Sequence, residues 1–274
     1  MPELPEVETI VRDIRPELLG RRIVAARLKH RDVLRGVSRK ALVAGLTGSR
    51  VRDVYRRAKH AVIETSRRRL VVQPGMTGSL LVLDRPPTAR ERAYTVLAAR
   101  LDNGRELLFH DVRRFGTLLW VDPSGWEAYS GALGPEPLDP GFTPAALRDI
   151  LSRSRAAVKK VLMDQGALAG VGNIYAQEAL FAARIDPSKP ASAVAPDAVS
   201  RLHRWLVRIL AAAIESEGTT VRDYRTGTGK SGSFQFKLKV YAREGEPCLR
   251  CGTALAGTHA IDGRITVFCH RCQR

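Results

Sequence analysis

Hydrophobic positions recur at helical spacing almost from the first residue. Val7, Ile10, Val11, Ile14 and Leu18 form one stripe and Gly20 ends it, which predicts a helix over 5–19. From residue 23 to about 121 the period shortens to short β-branched runs (RIVAARL, AVIET, RLVVQ, SLLVLD, YTVLAARL, ELLFHDV, TLLWV), with a hairpin signal at Asp102-Asn103-Gly104. That stretch predicts a β-rich domain of about seven strands or more. The segment GALGPEPLDPGFTP at 131–144 concentrates Gly and Pro and reads as a linker rather than as part of a packed element. Helical periodicity then returns over 145–152, 155–163, 173–183 and 197–217, the last with Leu202, Leu206, Ile209, Leu210 and Ala213 inward. A polar, Gly-rich loop at 218–232 follows, of a length that is usually functional or mobile, and SFQFKLKVY after it predicts a strand.

Composition narrows the class. With 44% hydrophobic and 27% charged residues the chain is of average globular make-up, which excludes disorder and collagen-like repeats. The 45 Lys and Arg against 28 Asp and Glu leave a net charge of +17, spread from Arg12 to Arg274 rather than confined to a tail. A folded surface so basic favours a polyanion, nucleic acid first and anionic membrane second; an Arg-rich proteome is the plainer explanation. No apolar run approaches the roughly 18 to 20 residues of a membrane helix, and MPELPEVETI is acidic where a signal peptide is basic and then apolar. A soluble, cytoplasmic protein is expected, with no membrane partner.

All four cysteines fall near the end, as Cys248-x-x-Cys251 and Cys269-x-x-Cys272 with seventeen residues between the pairs. Two such knuckles present four thiolates to one tetrahedral zinc, across a hairpin whose tip is marked by Asp262-Gly263. Two disulfides are the alternative, disfavoured by the absence of a secretory signal. Four thiolates leave no open position for water, so the zinc is structural, and His270 inside the second knuckle is a bystander. Arg250, Arg264, Arg271 and Arg274 make the ribbon a candidate nucleic-acid arm, with Arg264 at its tip.

Three further motifs invite chemistry. Gly227-Thr228-Gly229-Lys230-Ser231 imitates the end of a phosphate-binding loop, but position 224 is Tyr224 rather than glycine and the order is helix, loop, strand, so nucleotide hydrolysis is excluded. Lys230 remains a candidate nucleic-acid contact. Gly170-Val171-Gly172-Asn173 precedes a helix, where Asn173 serves either as a plain N-cap or, with Lys159 and Lys160 nearby, as part of an anion site. At the N-terminus, removal of Met1 exposes Pro2 as a secondary amine, able to attack a carbonyl carbon and form an iminium. The helix dipole favours the neutral amine while Glu3 and Glu6 oppose it; Pro and Glu are also simply good first-turn residues.

These segments together resemble the formamidopyrimidine-DNA glycosylase family: PELPEVET at 2–9, PGMTGS at 74–79, DVRRFG at 111–116, LGPEPL at 133–138, VGNIYAQEALF at 171–181 and VYAREGEPCLRCGT at 240–253. The resemblance implies a bacterial, bifunctional base-excision repair enzyme for 8-oxoguanine and ring-opened purines. It implies an α+β chain whose N-terminal helix and β-sandwich (1–130) lead through a linker (131–143) to a helix-two-turn-helix domain with a lesion loop (144–232) and a zinc ribbon (233–274). Damaged double-stranded DNA, lying across a basic cleft, is the implied partner of a monomer, and one zinc the implied cofactor. By matching positions, Pro2 is the nucleophile at C1′, Glu3 the acid that protonates the sugar, Lys59 a lesion-phosphate contact, and Glu6 belongs with this catalytic set. Met76, Arg113 and Phe115 match the residues that fill the void left by a flipped base. Asn173 and Lys159 match phosphate-gripping residues, Arg264 the ribbon arginine, and Lys230 the lesion-covering loop.

The chain departs from the family pattern in three places. The segment RERAYTVL lacks an expected histidine, Val112 stands where proline is frequent, and Val267-Phe268 replaces an aromatic pair. None of these removes a catalytic group. A sister glycosylase of the endonuclease-VIII type, acting on oxidised pyrimidines, is the nearest alternative, and a non-enzymatic damage-binding protein the next.

Overall fold

The structure is a computed structural model and describes residues 2–220 and 224–274. The chain divides into two compact units, Met1–Gly131 with Ser216–Gln235, and Ala132–Glu215 with Phe236–Arg274. The first begins with α1 (Leu4–Leu18), which buries Leu4, Val7, Ile10, Val11, Ile14 and Leu18 as the spacing predicts. Each such side chain gains roughly 1.5–3 kcal/mol on leaving water, so packing, more than propensity, holds this helix.

Nine strands follow among the described residues. β1 (Ile23–Leu28), β7 (Thr95–Leu101), β8 (Glu106–Asp111) and β6 (Gly78–Leu83) form an antiparallel sheet in that spatial order. The other sheet runs β2 (Leu34–Arg35), β9 (Thr117–Val121), β5 (Arg69–Gln73), β4 (His60–Thr65) and β3 (Val51–Arg57), antiparallel except for the β2–β9 pair. Inward residues of both sheets, among them Leu80, Val96, Phe109, Ile63, Val72 and Trp120, share one core with α1. This is the β-rich domain that the β-branched runs predicted, arranged as the β-sandwich that the family resemblance implied. Short helices α2 (Arg39–Leu46), α3 (Ala89–Tyr94) and α4 (Pro123–Gly131) complete it.

The second unit is helical before it becomes a ribbon: α5 (Pro144–Ser152), α6 (Val158–Met163), α7 (Asn173–Ala183) and α8 (Pro196–Glu215). β10 (Ala256–Thr258) and β11 (Thr266–Phe268) pair as the antiparallel hairpin between the cysteine knuckles.

Three expectations are corrected. The segment after 131 is packed rather than a loose tether: Gly134 N–H donates to Gln165 O at 2.8 Å, and a Cβ on Gly134 would lie 2.5 Å from the Ala167 carbonyl carbon. The loop at 218–232, read as part of the helical domain, belongs to the first unit. SFQFKLKVY forms a 3-10 turn over Phe234–Lys237 and no strand, because the Glu178 carboxylate accepts the backbone N–H groups of Lys239, Val240 and Tyr241 at 2.9–3.1 Å.

Candidate active site

Pro2 is buried at the start of α1, and Glu3, 2% exposed, is the N-cap residue. Glu6 is buried directly behind it. Its Oε2 accepts the Glu3 backbone N–H at 2.8 Å and its Oε1 accepts the Thr219 N–H at 2.8 Å. Glu6, grouped with the catalytic residues from sequence, is therefore a bracket in this structure, tying the first turn of α1 to the Gly-rich loop. The Tyr224 hydroxyl donates to the Glu6 carbonyl at 3.3 Å, and burial, then the Glu6 carboxylate, raises that phenol's pKa. Gly218 has φ +82°, and a Cβ there would stand 3.0 Å from Glu6 Cγ, so glycine permits the approach. Further along, Thr226 N–H donates to Lys230 O at 2.9 Å and closes a tight turn that leaves Lys230 exposed. The part of the lesion-loop assignment that falls on 221–223 lies outside the described residues.

Lys59 sits at the two-residue tip of the β3–β4 hairpin and is 5% exposed. The residue before it, Ala58, takes φ +52°, a left-handed conformation that costs an L-residue roughly 1–2 kcal/mol. Strain of this kind persists only where the surroundings enforce it.

Met76 and Phe115 are large apolar side chains left in solvent, 42% and 58% exposed. The Arg113 guanidinium lies 4.6 Å from the Phe115 ring centroid. Their loops are braced from beneath by two residues not singled out in the sequence, Thr77 and Asp111. Asp111, 1% exposed, accepts from the Thr77 hydroxyl and from Gly116 N–H at 2.8 Å, while Thr77 Oγ1 accepts the Arg113 N–H at 3.0 Å. Gly75 lets the loops meet, since at φ +68° any Cβ would lie 2.5 Å from Gly116 N. Both bracing residues lie inside the motifs PGMTGS and DVRRFG, which was the available signal. Thr95, in the segment that lacks a histidine, pairs across the sheet with His110, whose pKa is lowered by burial.

In the second unit Gly172 is the N-cap of α7 and Asn173 its first helical residue, one position later than the capping reading placed it. The Asn173 Nδ2 donates to Ile265 O at 3.2 Å, and its buried Oδ1 has no hydrogen-bond partner among the described residues. Gln165 shapes the preceding turn, accepting Gly170 N–H and donating to Val171 O, each at 2.9 Å. Lys159, expected at a phosphate, is wholly buried; its ammonium meets Asp262 and Thr266 instead of solvent. Arg264 is exposed at the ribbon tip, as expected.

The four cysteine sulfurs lie within 4.8 Å of one another, and Cys251 and Cys269 are 3.5 Å apart, far beyond a disulfide bond. Tetrahedral zinc with Zn–S near 2.3 Å needs sulfurs about 3.8 Å apart, so this donor set fits that ion, with His270 exposed outside it.

Family models match on both sides of Ala132: the formamidopyrimidine-DNA glycosylase N-terminal domain over residues 1–118 and the corresponding H2TH domain over 133–225. The chain belongs to the formamidopyrimidine-DNA glycosylase family. Relatives bearing that name include those of Thermomicrobium roseum, 44% identical over 100% of this chain and 99% of its own, and Xanthomonas campestris, 45% identical over the full length of both. Among solved structures, the MutM (Fpg) protein of Thermus thermophilus superposes with a TM-score of 0.87 at 39% identity, covering 99% of this chain and 98% of its own. The Lactococcus lactis enzyme in complex with DNA containing N7-benzyl-Fapy-dG gives 0.89 at 30% identity over the whole of both chains. No described helix is long and apolar enough to cross a membrane.

Proposed function

We propose that this chain is a base-excision repair enzyme, a DNA glycosylase for oxidised purines that also cleaves the strand at the resulting abasic site. The observation that carries the reading is the conjunction, in a chain of this family, of Pro2 and Glu3 at the buried start of α1 with the braced, outward set Met76, Arg113 and Phe115 in the same unit. Relatives bound to lesion-containing DNA support the substrate class.

The chemistry follows from the residue types. Once Met1 is removed, the Pro2 nitrogen attacks C1′ of the damaged nucleoside and loses its proton, and the base departs with the electrons of the broken C1′–N bond and takes up one proton. Glu3 protonates the sugar ring oxygen and opens the ring. The resulting iminium acidifies the C2′ proton; its loss breaks the C3′–O bond, and a second elimination breaks the C5′–O bond. Lys59 draws the flanking phosphates into register. Unstacking a base costs a few kcal/mol, offset by Met76 as wedge and by Arg113 and Phe115 against the widowed partner, each stacking contact contributing about 1–3 kcal/mol. Arg264 and the N-terminal turn of α7 at Asn173 hold backbone phosphates of the duplex. A zinc held by Cys248, Cys251, Cys269 and Cys272 would fold the ribbon and supply no reactive ligand position. The enzyme acts as a monomer in the bacterial cytoplasm, on nucleoid DNA.

Incision of duplexes carrying 8-oxoguanine, Fapy-guanine or thymine glycol tests this. Rapid cleavage of the two purine lesions to products with phosphate at both ends of the gap is expected, with Glu3→Gln slowed about 10²–10⁴-fold. Preference for thymine glycol, or binding with no cleavage by protein that begins at Pro2, contradicts it.

A further inference from the structure

Lys159 and Lys160 are adjacent lysines on α6, yet only Lys160 reaches solvent. The side chain of Lys159 is 0% exposed. Desolvating an ammonium costs several kcal/mol, so such a group persists only where it is fully paired. Its Nζ lies 3.1 and 3.2 Å from the two Asp262 carboxylate oxygens and 2.7 Å from Thr266 Oγ1. These two partners flank one residue. Asp262 Oδ1 also accepts the backbone N–H of Arg264 at 3.2 Å, and the Thr266 hydroxyl donates to the Arg264 carbonyl at 3.5 Å. Because an ammonium can only donate, it takes a lone pair of Thr266 and leaves the hydroxyl proton free to face that carbonyl. Both polar groups of the Arg264 backbone are thus held by side chains that Lys159 fixes, next to Gly263 at φ +77°, whose own N–H and carbonyl meet His259 O at 3.0 Å and His259 Nδ1 at 3.3 Å.

We propose that Lys159 is a positioning residue for Arg264: it sets the backbone of the ribbon tip from inside the second unit so that the guanidinium projects to a DNA phosphate. This rests on the reading of Arg264 as a phosphate contact. A direct contact from Lys159 is incompatible with its burial.

The test is the salt dependence of affinity for an 8-oxoguanine duplex, measured on full-length zinc-loaded protein for wild type, R264A, K159M, K159M/R264A and K159M/D262L. One lost phosphate contact lowers the slope of log K against log salt by about 0.9. R264A and K159M are each expected to show that loss, and K159M/R264A no more than R264A alone. K159M/D262L replaces the ion pair by apolar side chains and is expected to recover the melting temperature while keeping the reduced slope. It also serves if K159M alone does not fold. Additive losses in K159M/R264A, or a wild-type slope in K159M/D262L, overturn the positioning role. An unchanged slope in R264A itself overturns the phosphate reading of Arg264 and the proposal with it, which separates the two failures.

Discussion

Asp111 and Glu6 are each 1% exposed, and each spends its carboxylate on joining segments far apart in sequence. Asp111 joins the loop carrying Met76 to the loop carrying Arg113 and Phe115, through Thr77 and Gly116. Charge-assisted bonds to buried donors contribute about 1.5–3 kcal/mol each, and deleting the acceptor leaves both donors unsatisfied. Asp111→Ala is therefore expected to lose about 3 kcal/mol in urea unfolding, and to weaken binding to lesion duplex more than to an undamaged one. A variant as stable as wild type would show that the loops are held by something else. Lys159 and Lys160 show what residue types alone do not reveal. Both are lysines on a short amphipathic helix, and which one is buried depends on Asp262 and Thr266, about a hundred residues later.

At the scale of elements, the ribbon is where a metal held by the four clustered cysteines would bear most on the fold. Its apolar cluster holds few side chains besides the cysteines, chiefly Phe181, Val240, Leu255 and Val267. So small a core does not hold a hairpin of this kind without its ion. Removal of zinc by a chelator is expected to melt this segment, seen as lost chemical-shift dispersion for residues after 245, and to lower DNA affinity at least about tenfold as Arg264 is released. Metal-free protein that binds DNA with undiminished affinity would contradict this. α1 and α8 were legible because one-sided burial enforces their helical stripes, whereas α7 and the central strands of the sandwich, buried on nearly every side, were legible as apolar runs between turn residues. SFQFKLKVY misled because its alternation is real while its backbone donors at 239–241 are satisfied by the Glu178 side chain, leaving no partner strand to pair. The stretch after Gly131 misled because Gly and Pro mark a close approach under Ala167 as readily as a tether. By contrast, the N-terminal octapeptide was legible through its resemblance to the family, and the cysteine spacing specifies a four-sulfur donor set locally and needed no tertiary information. The bracket from Glu6 to Thr219 did, since it spans more than two hundred residues.

For the whole molecule, the net charge of +17 bears on association rather than on fold. If roughly six or more phosphates are neutralised, affinity for duplex DNA falls on the order of 10³-fold between about 50 and 200 mM salt. A shallow dependence, measured by fluorescence anisotropy, would mean that the positive surface is not where DNA lies. The charge cannot by itself distinguish repair from mere binding; the N-terminal proline does. Borohydride trapping on a duplex with one 8-oxoguanine opposite cytosine tests this most directly, with intact mass establishing that the protein begins at Pro2. A covalent protein-DNA adduct, mapped by peptide mass to Pro2, is the predicted result. Protein that begins at Pro2, binds the duplex and yields no adduct would contradict the account.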